Sequence, residues 1–181
     1  MSFKFNTPPG QTIDRKQYLC CGNSGTEAAP KWGKLGKRVE DSSAEMDWGE
    51  ETKQDILGDT YTTMKKPVIS QPLDPCELDS GDEYQQKIWN HAVVDQDAAA
   101  LCNQDLLRIH LYAEDENGNA FAERYHSCMV KPNGLGGAGG GTLTMPIDVT
   151  FGGTREVGTA SVADDGTITF TPAASGGGET A

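Results

Sequence analysis

Two alternating runs on either side of Asn117-Gly118 constrain the fold of this chain more than any other feature. Leu107, Ile109, Leu111 and Ala113 alternate with Leu106, Arg108, His110 and Tyr112, and Phe121 to Val130 returns with the same period of two. Between them lies Glu114-Asp115-Glu116-Asn117-Gly118-Asn119. Asn-Gly supplies the positive φ angles that tight hairpin turns need, so the segment predicts a long β-hairpin.

Further strands are expected around this hairpin. Tyr18 to Cys21 is one, closed by Gly22-Asn23-Ser24-Gly25. Residues 39–48 alternate, with Ala44, Met46 and Trp48 on one side and Asp41, Ser43, Glu45 and Asp47 on the other, which predicts a half-buried strand with an acidic outer face. Thr52 to Leu57, Tyr61 to Met64 and Pro67 to Leu73 read as extended, with Pro72 and Pro75 suited to an edge. Leu143 to Phe151, Val157 to Val162 and Thr167 to Thr171 complete the set. A helix is predicted over residues 80–94, with Ser80 and Glu83 at capping-box spacing and an apolar stripe of Tyr84, Ile88, Trp89, Ala92 and Val93. A second short piece, helical or irregular, is expected at Asp97–Asn103. The fold class that follows is mainly β: an antiparallel β-sandwich or barrel with one flanking α-helix. Residues 1–172 form one domain on this reading, and 173–181 a flexible C-terminal tail.

The 181 residues carry 15 basic and 27 acidic side chains, a formal charge of −12. Such a balance argues against binding nucleic acid through its phosphates or docking on anionic membranes. The charge is polarised: bases dominate 1–39, whereas Glu40, Asp41, Glu45, Asp47, Glu50, Glu51, Asp55 and Asp59 face only Lys53 over 40–60. Opposed ends of this kind suit head-to-tail matching between copies, the alternative being a solvated acidic face. No apolar run reaches the length needed to span a bilayer, and no secretory signal is visible behind Met1-Ser2-Phe3-Lys4-Phe5, so synthesis in a cytosol is expected.

Candidate chemistry is sparse. Five cysteines, with Cys20 and Cys21 adjacent, make a poor disulfide framework and read as reduced thiols. His110 and His126 sit on the two hairpin arms, and Cys128 lies two positions beyond His126, but the close ligand pairs of a zinc site are missing. The Gly-rich stretch 133–141 leads into a strand and has no Lys, so it reads as a flexible loop rather than a phosphate cradle. No Gly-x-Ser-x-Gly and no His-Glu-x-x-His occurs. No catalytic residue, metal or cofactor is expected.

The order of the pieces carries a resemblance. Met46-Asp47-Trp48-Gly49-Glu50-Glu51, then Asp55 to Tyr61, Lys66 to Leu73, a capped helix, the Asn117-Gly118 hairpin, Ile147 to Gly153, and Val157 to Pro172 follow one another. Together they resemble the major tail tube proteins of long-tailed, siphovirus-type bacteriophages. The resemblance implies two packed antiparallel sheets, rings of six, and rings stacked into a tube through which DNA passes without specific binding. It implies a place in the tail of a virion assembled in the host cytoplasm, beside tail terminator, tape measure and distal tail proteins. It also implies a long loop or hairpin early in the chain that reaches the next ring. Segment 47–66 is the matching candidate, with Gly49, Glu50, Glu51, Asp55, Gly58, Asp59 and Tyr61, and it is expected to be poorly ordered in a free subunit. Asp41, Glu45 and Asp47 are candidate lumen-facing residues, since carboxylates repel passing phosphate. A related tail terminator, distal tail or secretion-system tube protein is the alternative, and a β-sandwich binding module a further one.

Overall fold

Period-two patterning turns into strands along most of the chain. A computed structural model describes residues 2–173, and the expected C-terminal tail lies outside them from residue 174 onward. In chain order the strands are β1 (Lys4–Phe5), β2 (Tyr18–Asn23), β3 (Trp32–Lys34), β4 (Glu45–Asp47), β5 (Glu51–Gln54) and β6 (Thr60–Thr63). They continue as β7 (Val68–Leu73), β8 (Gln104–Glu114), β9 (Ala120–Pro132), β10 (Ile147–Phe151), β11 (Arg155–Val162) and β12 (Ile168–Pro172). Helix α1 spans Glu83–Trp89 and α2 spans Ala98–Leu101.

The architecture is antiparallel β with a flanking helix, and the hairpin read from Asn117-Gly118 is its spine. Strand β9 serves two sheets. Its first half, 120–125, pairs with β8 and β11, and residues 129–132 pair with β10. One sheet runs β3-β2-β8-β9-β11-β12, with β1 added to the far end of β8. The other runs β9-β10-β7-β4. The chain passes over the β9 bend at Gly152-Gly153. A Cβ at Gly153 would lie 2.7 Å from the Ser127 Cβ, and Gly153 has φ +69°, so this crossing needs glycine on both counts.

Two cores result. Ile69, Leu73, Ile88, Leu106, Tyr125, Val130, Met145, Val149 and Phe151 join Tyr84 between the two sheets and under α1. A second cluster of Cys21, Trp32, Leu107, Ile109, Ala120, Ala122, Ala160 and Ile168 draws every member from the first sheet alone. That sheet therefore covers its own outer face by curling, and alanines at 120, 122 and 160 leave room for the curl.

Three expectations are corrected. The helix starts later, because Asp82, not Ser80, is its cap: the Asp82 carboxylate accepts from the backbone N–H of Tyr84 and Gln85 at 3.0 Å each. It also ends as an α-helix at Trp89, and 90–94 form a wider turn that leaves Val93 exposed. The half-buried strand at 39–48 shrinks to β4, a three-residue edge strand exposed at every position, Met46 included, and Trp48 just beyond it is exposed too. Leu143 is likewise outside β10 and half-exposed. Segment 47–66 takes the hairpin form of the expected loop or hairpin, with β5 paired to β6.

The thiols are single, with no disulfide among them. Burial pushes Cys20 and Cys128 up to about 12, and Cys21 and Cys76 also above their ordinary value, whereas Cys102 is exposed. Thiolate is the nucleophile. A disulfide-exchange reagent at pH 8 is therefore expected to titrate one thiol quickly in the native protein and the other four only as it unfolds. Two or more fast thiols would show that the core opens on its own.

Candidate functional site

Strand β5 and β6 form a hairpin that stands clear of both sheets. Cross-strand pairs run from Glu51–Thr63 to Gln54–Thr60, with the hydroxyls of Thr52 and Thr62 3.1 Å apart. The tip is residues 55–59. The Asp55 carboxylate accepts from the backbone N–H of Leu57 at 2.8 Å and of Asp59 at 2.9 Å, and Gly58 turns the chain with φ +90°. The Gln54 side chain donates to the Gly58 carbonyl at 2.9 Å. These bonds fix a turn whose two central side chains have nothing of their own chain to pack on: Ile56 is 101% and Leu57 82% exposed. Met46, Trp48, Tyr61, Met64 and Val68 extend the exposed apolar character to the hairpin root. A concentration of this kind marks an interaction surface.

At that root the two sheets part to form a cleft of about 470 Å³. Its walls are Met46, Trp48, Pro67, Ile69, Tyr125 and Phe151, and its floor carries Arg108, Glu123, His110 and Arg155. Facing positions of β8 and β9 place the floor: Arg108 opposes Glu123, and His110 opposes Phe121. Glu123 receives Arg108 at 3.3 Å, Arg155 at 2.8 Å and the Tyr125 hydroxyl at 2.9 Å. Arg108 also donates to the Tyr18 hydroxyl at 2.9 Å, and that hydroxyl donates to Gln71 at 3.2 Å. A polar seam thus crosses from one sheet to the other and ends on Ser42 through Gln71.

The electrostatics of the seam follow from burial and pairing. Burial alone would raise Glu123, but the hydrogen bond from Arg155 and the charges of Arg108 and Arg155 outweigh it and hold the carboxyl below its ordinary value. Burial raises Tyr18 to about 12 and lowers His110 to about 4. A carboxylate locked between two guanidinium groups is a poor proton acceptor, and the seam has no nucleophile beside a base.

The residues singled out from the sequence divide into two groups. Gly49, Glu50, Glu51, Asp55, Gly58, Asp59 and Tyr61 are brought together on the hairpin and its root. Glu45 and Asp47 lie together on β4, opposite Ser70 and Val68, and Asp41 stands apart in a bridge with Asp74; all three are exposed. His110 and His126 do not meet. His110 donates or accepts at Tyr112, whereas His126 lies between Glu27 at 3.4 Å and Glu156 at 3.3 Å. Among the described residues no group of three His, Cys, Asp or Glu side chains is placed to hold a metal, and no helix is long and apolar enough to cross a membrane. Sequence reasoning missed Ile56, Leu57, Arg108, Glu123 and Arg155. The tip could have been found, because Asp55-x-x-Gly58-x repeats the spacing of Asp115-x-x-Gly118-x.

No protein-family model matches the chain, and no curated protein matches it in sequence. Solved structures do match in shape. The chain is similar to the sheath/tube terminator of the PVC extracellular contractile injection system in its extended state, with a TM-score of 0.50 and 7% identity over 83% of this chain and 99% of that one. It is also similar to the tube-terminating cap of the anti-feeding prophage (TM-score 0.49, 9% identity, 86% and 96% covered). A chain of the PVC sheath–tube complex follows (TM-score 0.46, 8% identity, 83% and 94% covered). At such identities the shared property is the fold.

Proposed function

We propose that this chain is a ring-forming structural subunit of a phage-tail-like tube, and that its place is at the tube end, as a terminator, rather than along the main tube of a long-tailed phage. The observation that carries the reading is the freestanding β5–β6 hairpin with its bare Ile56-Leu57 tip, a device with no use in a lone molecule. The fold likeness to a tube terminator supports the tube-end assignment. Edges at β4, β3 and β12 that are unpaired among the described residues offer ladders that a neighbouring copy can complete, and a head-to-tail contact repeated around an axis closes as a ring. Rings of six, a passage for DNA, and a wall formed by Asp41, Glu45 and Asp47 belong to this proposal. So do tape measure and distal tail proteins as more distant neighbours in the particle.

Electron microscopy of the purified chain tests it. Isolated rings with a central hole are the expected result. Rings that stack into long tubes would return the chain to the main tube. A monomer at every concentration, without rings, would overturn the assembly reading.

A further inference from the structure

The hairpin tip and the cleft at the hairpin root are matched to one another in chemistry but cannot meet within one chain. The hairpin leaves the cleft rim at Trp48 and returns to it at Lys65, where the Lys65 N–H donates to the Trp48 carbonyl at 2.9 Å. Strand geometry then carries residues 56 and 57 roughly 20 Å away from the rim. The tip is two apolar side chains, Ile56 and Leu57, between the carboxylates of Asp55 and Asp59. The cleft is apolar on its walls and has three cations, Lys66, Arg108 and Arg155, against the single carboxylate of Glu123. His110 adds no charge at neutral pH, because burial holds it near 4. The surplus positive charge stands out in a chain of net charge −12. Arg108 is buried, so Arg155 and Lys66 are the accessible part of that surplus. Arg155 commits one terminal nitrogen to Glu123, and its side chain stays 49% exposed.

We infer that the cleft is the receptor for the β5–β6 tip of a second copy of this chain. Ile56 and Leu57 enter between Trp48, Phe151 and Ile69, and Asp55 or Asp59 reaches Arg155. The second oxygen of Asp55 is available for this, since the turn's backbone bonds all use Oδ1. Each copy offers a tip and a cleft on different parts of its surface, so the contact is head-to-tail and continues from copy to copy. The inference rests on the assembly reading above and names the surface through which the hairpin acts.

The double variant Ile56→Ser/Leu57→Ser tests it, since both positions are solvent-exposed and the fold does not depend on them. Sedimentation velocity of the full chain is expected to show the concentration for half-assembly raised by about tenfold or more, from the lost apolar burial alone. A photo-crosslinking residue at position 57 is expected to join peptides containing residues 66–69 or 151–155 of another copy. Crosslinks that map elsewhere, or a double variant that assembles like wild type, would overturn the receptor assignment and leave the ring reading standing. A wild-type chain that never assembles would overturn both.

Discussion

Replacing Glu123 by Ala is expected to cost about 3–5 kcal/mol of folding stability, because it strands a buried guanidinium. The Arg108 side chain is only 3% exposed, and Glu123 is its one carboxylate partner among the described residues. Losing that partner leaves the charge desolvated and unpaired, and it also frees the Tyr125 hydroxyl and Arg155 from their common acceptor. Against a typical total of about 5–15 kcal/mol, such a loss takes a large share. Urea unfolding followed by fluorescence should show the midpoint falling with little change in slope. Replacing both partners, Arg108→Met with Glu123→Leu, should recover most of the loss, since the pair's attraction roughly repays its desolvation. A single variant as stable as wild type would mean that water reaches Arg108 through the cleft.

The same carboxylate fixes how stability responds to acid. Its folded value lies below the ordinary 4.5, so the unfolded chain binds the proton first. The stability Glu123 contributes is full above about 4.5 and is lost as pH falls through the folded value. His110 acts at milder pH with the same sign. Burial lowers it from 6.5 to about 4, so the unfolded chain takes up its proton across that window and stability declines as pH drops through it. A His110→Asn variant is expected to flatten the wild-type decline between pH 6.5 and 4 and to leave the steeper loss below 4.5 in place.

The long hairpin shows how far the sequence could be read and where it stopped. Asn117-Gly118 placed the turn, and the alternation on each side placed β8 and β9. The register, however, is not the one the turn implies. Glu114 pairs with Ala120, and an undisturbed ladder would set Arg108 opposite His126. A bulge between His110 and Glu114 shifts the register by three residues, so Arg108 faces Glu123 and His110 faces Phe121. The bulged residues are used elsewhere, because Ala113 pairs with Phe5 of β1. No local pattern marks that exchange. It depends on a strand more than a hundred residues away, and with it the ion pair that floors the cleft was out of reach.

The opposite error occurred at residues 39–48. The alternation there is real, but the apolar side is only partly covered in a single chain: Ala44 packs on the core, whereas Met46 and Trp48 do not. Met46 lies opposite Ile69 on β4, and Ile69 is buried while Met46 is half-exposed. Period two reports that a face is apolar, not what buries it. A residue kept apolar for a neighbouring copy gives the same signal as one kept for its own core. The tip fell between these cases. Its turn was encoded by Asp55 and Gly58, but only the absence of any covering element shows that Ile56 and Leu57 are surface.

Gly22→Ala is expected to destabilise the protein by about 3 kcal/mol, the upper part of the usual range for overpacking, although it adds one methyl group. Gly22 lies on β2 opposite Leu106, directly beneath α1. A Cβ there would stand 2.4 Å from the Tyr84 ring, well inside contact distance. The ring has nowhere to go. Tyr84 is 1% exposed, its hydroxyl points at Gln104, and its backbone N–H is held by the Asp82 cap. Relief requires α1 to lift from the sheet, which also strains the bond from Lys87 to the Asn23 carbonyl at 2.9 Å. Tyr84→Leu alone should be destabilising as well, through the cavity it leaves. The two changes oppose one another in volume, so the double variant should lose less than the sum of the singles, by about 1 kcal/mol or more. Urea midpoints of the four proteins measure that coupling. Strict additivity would mean that β2 yields to the new methyl by itself and that α1 does not rest on Gly22.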